Sequence, residues 1–383
     1  MSSGPPDHPA VPLSRPSTGA EERRAVDEVL ASGWLAGQGP QGSLLEDGFR
    51  ELTGRAHAVA VNNCTAGLHL ALLALGVGPG DEVLVADYTF PATAHAVLFC
   101  GAAPRFVDVR ADTGTIDPSL VAELISERTR AIIGVDALGV PADWDELGAV
   151  AENHGISLVE DAACSAGGVY RDRPCGAFGD VAVFSLHARK GITSGEGGVV
   201  VTDDDRLAVA IRRASSFGMQ SAFERQAVAA GDLPDFAELG YNYKLSDILA
   251  AIGRVQLRRL PELLEARARI AARYDDLLRD VVGLATPQVP ADRTSTWQTY
   301  AVTLRKGIDR DSVVQELRGR GIGATIGTYA LSRLPVYGQR PSACPTSADL
   351  FARQLAIPMY ADLSEEDQDR VVGELVGALG SVD

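Results

Sequence analysis

Three observations predict an α/β protein with a large, mostly parallel seven-stranded sheet covered by helices and a smaller C-terminal α+β domain. Between residues 20 and 202 short β-branched runs alternate with longer helical patterns, the signature of βαβ crossovers. That stretch contains seven strand-like runs. Past residue 203 the alternation gives way to long helical segments and then to mixed short helices and strands. The division expected is a lead-in over 1–17, a large domain over 18–260 and a small domain over 261–383.

The elements follow in order. EERRAVDEVLAS (21–32) is helical, AHAVAVNN (56–63) a strand, and TAGLHLALLAL (65–75) a helix with apolar positions at i, i+3 and i+4. GPGDEVLVADY (78–88) reads as a turn and strand, TAHAVLFCG (93–101) as a helix, RFVDV (105–109) as a strand and SLVAELISE (119–127) as a helix. RAIIGVD (130–136) is a strand, and WDELGAVAENHG (144–155) is a helix stopped by glycine. ISLVED, VAVFS and GGVVVTDD complete the strands. A helical segment over 205–218 leads to a polar excursion over 219–235, and a helical run over 246–278 is interrupted at Pro261. TYAVTLR, DSVVQELRGRG, ATIGTY, QLAIPM and SEEDQDRVVGELVGAL supply the α+β remainder.

Composition narrows the function. The chain has 383 residues, 46% of them hydrophobic, enough for a large core. Against 35 Lys and Arg stand 51 Asp and Glu, a net charge of −16, which excludes nucleic acid or an anionic membrane as a partner held by bulk charge. The N-terminus is rich in Pro and Ser without an apolar core, and LHLALLALGVG is too short to span a bilayer. Cys64, Cys100, Cys164, Cys175 and Cys344 form no CxxC pair and no metal-like spacing with His. Reduced thiols in a cytoplasmic protein, with no metal, are the expectation.

Ligands of open α/β sheets bind beyond the carboxyl ends of the strands, so polar residues there are the candidates. The first strand runs through Asn62, Asn63 and Cys64 into Thr65 and Ala66 at a helix start, a place for an anion or an ordinary N-cap. The second ends near Tyr88 and Phe90, aromatics suited to core packing or to a ligand platform. ISLVED ends in Glu160-Asp161, carboxylates that need a donor or cation once desolvated, or that cap the next segment. In FSLHARKGITSGEGG a loop after Ser185 carries His187, Arg189 and Lys190; the lysine is either solvated or a nucleophile held near the crevice. Together these residues supply what a pyridoxal phosphate enzyme requires: a lysine for the Schiff base, a carboxylate for the pyridinium nitrogen, a helix N-terminus for the phosphate and an aromatic over the ring. A Rossmann dehydrogenase is disfavoured, since no GxGxxG follows the first strand.

At this point the chain resembles the DegT/DnrJ/EryC1/StrS aminotransferases, pyridoxal phosphate-dependent sugar aminotransferases of aspartate-aminotransferase fold type I. The resemblance runs from about Ser14 to the last helix. It is carried by SGWLAGQGPQGSLLEDGF, by CTAGLHLALLALGVGPGDEVLVADYTFPATAHAVLFCGAAPRFVDV and by LVEDAACSAGG. FSLHARKGITSGEGGVVVTDD, LGYNYKLSDILAAIGRVQL and QLAIPMYADLSEED follow in order. It implies that Lys190 bonds the cofactor, Asp161 pairs with the pyridinium nitrogen, and Thr65, Ala66 and Ser185 hold the phosphate. It implies that Phe90 stacks on the ring and that Cys164 stands at the position contacting the ring or its phenolic oxygen. Asn242 would reach the phosphate of a neighbouring subunit, giving a homodimer with shared sites, and 219–235 would lie near that interface or the way in for substrate.

The chain departs from the family pattern at several positions. Cys64 stands for a usual Gly, Cys164 for a Gln or His, and Asp136, Phe217 and Ser332 for frequent His residues. Lys190 is present, unlike in the dehydratase branch that carries His there. The implied reaction passes an amino group from glutamate or glutamine, through pyridoxamine phosphate, to a keto group of a nucleotide-linked deoxysugar. A keto-cyclitol acceptor fits the same residues, and a non-catalytic homologue is the alternative from another class. Arg15, Lys244 and Arg333, with Ser332, are candidates for the substrate by position.

Overall fold

The computed structural model describes residues 10–219, 236, 238–338 and 343–381; the polar excursion over 219–235 thus falls, beyond its first residue, outside the described residues. The large sheet contains β1 (His57–Val61), β2 (Glu82–Ala86), β3 (Ala103–Val107), β4 (Thr129–Val135), β5 (Ser157–Asp161), β6 (Val181–Ser185) and β7 (Gly198–Thr202). These are the seven runs read from the sequence. Their order is β1-β7-β6-β5-β4-β2-β3, parallel from β6 to β3, with β7 antiparallel to both neighbours. Two successive antiparallel pairings leave β1 pointing the same way as β6. The carboxyl ends of β1, β2, β4, β5 and β6 therefore share one edge, where ligands of such sheets bind.

Most of these strands are rich in Val, Ile and Ala and buried on both faces; the edge strand β3 (APRFV) is the partly exposed exception. Every residue of β2, β6 and β7 is buried. Val83, Val85, Ile132, Ile133, Val159 and Val183 meet in one core beneath the helices, each burial contributing roughly 1.5–3 kcal/mol. The helices of this domain are α1 (Ala20–Ser32), α2 (Pro40–Thr53), α3 (Cys64–Ala74), α4 (Ala92–Phe99), α5 (Pro118–Leu124), α6 (Trp144–His154), α7 (Asp205–Ser215) and α8 (Asp247–Arg258). The sequence pattern gave no expectation for α2. Its N-cap is Gly39, which has no side chain to offer, and the cap comes from far along the chain: Asp247 accepts from Gln41 N at 3.1 Å and from Gly42 N at 2.9 Å.

Helix α9 (Leu260–Leu278) carries Pro261 in its first turn, where the missing N–H costs nothing, so the expected interruption is a helix junction. Its first half packs Leu260 and Leu263 into the large domain, and its second half packs Ile270, Tyr274 and Leu278 into the small one. The small domain holds an antiparallel sheet of β8 (Leu284–Ala285), β9 (Tyr300–Leu304), β10 (Thr325–Ile326) and β11 (Gln354–Ile357), in the order β8-β9-β11-β10. Helices α10 (Arg310–Gly319), α11 (Pro345–Arg353) and α12 (Glu365–Ser381) cover it.

The lead-in over 1–17 needs correcting. Val11 is 2% exposed and sits in the small-domain core. Its N–H donates to Gly321 O at 2.9 Å, and Gly323 N and Met359 N donate back to Val11 O and Leu13 O. From Val11 onward the N-terminus is thus an ordered strap on the small domain. The buried Val and three main-chain bonds outweigh the flexibility that Pro and Ser suggest. Among the described residues no helix is long and apolar enough to cross a membrane, and all five cysteines are unpaired.

Candidate active site

The shared sheet edge brings four segments together. Helix α3 starts directly after β1. Asn63 is its N-cap, and its Oδ1 accepts from Ala66 N at 2.8 Å. The Ala66 N–H expected to hold a phosphate is therefore already donated within the cap in this conformation. Thr65 differs, because its hydroxyl has no hydrogen bond among the described residues. It opens onto a cavity of about 460 Å³ lined by Asn63, Thr65, Ala66, Phe99, Glu196 and Tyr243, within the usual range for small-molecule sites. At the back of this cup Gly198 is obligatory: a Cβ there would lie 2.8 Å from Cys64 N.

The second group lies at the ends of β5 and β6. Asp161 is buried at 4% exposure, with Oδ2 accepting from Thr93 Oγ1 at 2.8 Å and Oδ1 from Ala163 N at 3.2 Å. Burial pushes its carboxyl up, and the Thr93 and Ala163 bonds and the nearby Lys190 offset only part of that. No cation pairs with it among the described residues. Lys190, in the loop from β6 to β7, is half-buried and donates from Nζ to Cys164 Sγ at 3.1 Å. Burial pulls this amine down, but Cys164, which accepts from it, and the Asp161 charge outweigh the burial and hold it above its ordinary value. Cys64, the first residue of α3, joins the two groups: burial and then the Asp161 charge push its thiol well up, so it stays neutral.

The other sequence candidates fall in different places. Ser185 is buried at the end of β6, and its Oγ accepts from His187 N at 3.3 Å. Phe90 is 60% exposed and meets Tyr329 of the small domain edge-on at 6.0 Å, while Tyr88 is the core aromatic. The two-residue strands Tyr88–Thr89 and Tyr329–Ala330 pair beside it and tie the domains together. Asn242 is exposed and accepts from Lys244 Nζ at 2.6 Å, and Lys244 also lies over the Phe217 ring at 4.4 Å. Neither lines the cavity at Thr65. Arg15 stacks over Tyr360, and Arg333 is exposed at the end of the short helical turn Leu331–Arg333.

Ser332 is corrected. It is 2% exposed, and its N–H and hydroxyl both go to Asp87, at 2.6 and 3.0 Å. It secures a buried carboxylate, and its hydroxyl proton is committed to Asp87. Asp136 likewise lies away from the cavity, bonded to Ala142 N, Trp144 Nε1 and Ser165 Oγ. Sequence reasoning missed Thr93, the donor to Asp161, and Phe99, Glu196 and Tyr243 around the cavity. Only Glu196, inside GEGG, carried a local signal.

Comparison with known proteins decides the family. Residues 16–376 match the sequence profile of the DegT/DnrJ/EryC1/StrS aminotransferase family. The chain belongs to the DegT/DnrJ/EryC1/StrS aminotransferase family. It is similar to the aminotransferase TlmJ from Streptoalloteichus hindustanus, with 36% identity, a TM-score of 0.90, and coverage of 97% of this chain and 99% of that one. It is similar to PseC of Helicobacter pylori, an aminotransferase involved in pseudoaminic acid biosynthesis, at 27% identity and TM-score 0.90, covering 97% and 100%. It also resembles Spr1654 of Streptococcus pneumoniae, designated a sugar aminotransferase and solved in its PLP form, at 28% identity and TM-score 0.90, covering 98% and 100%. As a member of this family, the chain has the large parallel sheet and small domain of the fold type I aminotransferases.

Proposed function

We propose that this enzyme transfers an amino group from an amino acid, glutamate or glutamine, to the keto carbon of a nucleotide-linked deoxysugar, supplying amino sugars for a natural product or surface polysaccharide. The observation that carries the reading is a half-buried Lys190 amine placed near a buried Asp161 that makes no ion pair among the described residues, on the ligand edge of the sheet. The enzyme is a pyridoxal phosphate-dependent transaminase, and its residues fit that cofactor. Asp161 has an unmet need for a cation that the pyridinium N–H satisfies. The unbonded Thr65 hydroxyl faces a cavity of sufficient size. The exposed face of Phe90 is free to cover a ring.

Bound pyridoxal phosphate supplies an electron sink, so that a proton can leave and return at the carbon bearing the amino group. Every other task falls to the chain. Asp161, positioned by Thr93, keeps the ring nitrogen protonated. Thr65 and Ser185 would hold the phosphate, with the α3 N-terminus adding its partial positive charge. That local field matters in a chain of net charge −16. Lys190 would anchor the cofactor covalently and, once displaced by the donor, move the proton through Nζ as base and then acid. Cys164 orients that amine by accepting from it. The small domain closes over the edge through Tyr329 and Phe90.

The same reading makes the working unit a homodimer, with Asn242 reaching the phosphate of the neighbouring subunit. Its support is that Asn242 is exposed and its side chain does not line its own chain's cavity, although the neighbouring Tyr243 does.

Lys190→Ala tests the assignment. The purified variant is expected to lose the visible absorbance of bound cofactor and all amino transfer to a nucleotide-linked ketosugar, with keto-inositol run as the comparison acceptor. A Lys190→Ala protein that still transaminates at the wild-type rate overturns it. Mixing Lys190→Ala with Asn242→Ala tests the shared site, because a mixed dimer regains one intact site. No recovered activity overturns the sharing.

A further inference from the structure

Beside the Lys190 loop lies a narrow cleft that the cofactor residues do not use. The N-terminal strap, the loop before Lys190 and the edge of the small-domain sheet meet there, at Ser14, Arg189, Gln298, Thr325 and Gly327. Arg189 is exposed, is the one charged residue lining the cleft, and makes no ion pair among the described residues. Acidic groups outnumber basic ones 51 to 35 in the chain, and many arginines, such as Arg55, Arg212, Arg259 and Arg293, are paired with carboxylates. The main chain of Arg189 is nonetheless fixed. Gln298 Nε2 donates to Arg189 O at 3.1 Å, and Gln298 Oε1 accepts from Thr299 Oγ1 at 3.0 Å. The guanidinium is thus launched from a clamped position one peptide, about 3.8 Å between Cα atoms, from Lys190.

We propose that Arg189 is the residue that recognises the carboxylate of the amino-acid donor, a step that rests on the transaminase reading above. The chemistry of the group follows from charge and size. An unpaired guanidinium in a lining without acidic side chains selects an anion, and a carboxylate oxygen accepts a charge-assisted bond from it. The open volume is about 20 Å³, little more than one water-sized site. One carboxylate oxygen fits; a diphosphate does not. Ser14 and Thr325 place hydroxyls along the same cleft. Arg189 acts by binding and orienting the donor, so that its amino group is presented beside Lys190.

The test separates the two half-reactions of the cofactor-loaded enzyme. Arg189→Gln, Arg189→Lys and, as a control on the exposed face of α1, Arg24→Gln are compared with wild type. Spectral change is followed with L-glutamate and L-glutamine as donors, and with the ketosugar as acceptor. Losing a charge-assisted contact is expected to raise the half-saturating donor concentration about tenfold to hundredfold, with the limiting rate changed only a few-fold. Arg189→Lys recovers part of the affinity, and Arg24→Gln behaves as wild type. Equilibrium titration with glutarate gives an independent readout, its affinity falling in Arg189→Gln.

A rise for both donors assigns the contact to the α-carboxylate; a rise for glutamate alone assigns it to the side chain. Unchanged donor saturation and glutarate affinity, or a rise confined to the ketosugar half-reaction, overturns the proposal. A wild-type enzyme that accepts amino groups from neither donor defeats the transaminase reading instead, while the glutarate titration still reports on Arg189.

Discussion

Glu160 and Asp161 are adjacent residues on one strand, yet their side chains point to opposite faces and live in opposite conditions. Glu160, fully buried, is saturated by the protein itself: Gly176 N donates at 2.7 Å and Phe178 N at 3.0 Å. On its side lie Asp136 and Cys175, with ligand atoms of all three residues within 4.8 Å of one another. Burial pushes Glu160 well up, with the Asp136 charge adding to it, so this face holds a proton. Among the described residues Asp161 has only Thr93 and Ala163 as donors, and it looks toward Lys190. One carboxylate is part of the scaffold and complete. The other is left short of a partner, which is what a binding site for a cationic ring nitrogen requires.

Substitutions on the two faces should therefore fail differently. The largest effect is expected for Asp161→Ala, which removes the carboxylate proposed to pair with the pyridinium. Cofactor affinity, measured by absorbance titration, should fall on the order of 10²–10³-fold, the range for breaking a buried charge pair. Its thermal stability without cofactor should not fall in proportion, because an isolated buried carboxylate is being removed. Glu160→Gln should do the reverse. It leaves one of two buried N–H groups short of an acceptor, costing about 1–3 kcal/mol in chemical denaturation, with cofactor affinity kept once folded. If Glu160→Gln abolishes cofactor binding in a protein of normal stability, the division between faces is wrong.

Smaller effects refine the same contrast. Thr93→Val removes the Thr93–Asp161 bond and should weaken cofactor binding about tenfold without loss of fold. The Asp136 face should also carry a pH signature. Burial pushes Asp136 up to about 6. A folded-state value above the unfolded one, about 4, means that the native protein binds the extra proton. Its contribution is therefore complete below pH about 4, is lost as pH rises to about 6, and is level beyond. Asp136→Asn should flatten unfolding free energy across that window, and an unchanged slope would remove Asp136 from the account.

Much of this was legible before any coordinates. The seven strands of the large sheet were plain because buried parallel strands must be runs of Val, Ile and Ala, and each run here is bounded by Gly, Asp or Asn. Lys190, Asp161 and Thr65 were proposed from the sequence because chemistry concentrates at strand ends, and all three lie at the carboxyl edge of the sheet. What escaped depended on long-range partners. Helix α2 draws its cap from Asp247, some 200 positions away, so the only local mark of its start is Pro40 at its first position. Thr93 lies 68 positions before Asp161, and nothing near Pro91 announces that contact. Val11 became a core residue only through its pairing with Ile322. Ser332 was misjudged because its neighbour in space, Asp87, claims its hydroxyl.

The central claim is that Lys190 is the residue that holds the cofactor. Reduction of the loaded enzyme with borohydride, followed by peptide mapping, tests it directly. The expected result is a single pyridoxyl-modified peptide with the modification on Lys190, absent after Lys190→Ala. Modification on another lysine, or none in a coloured and active enzyme, would contradict it.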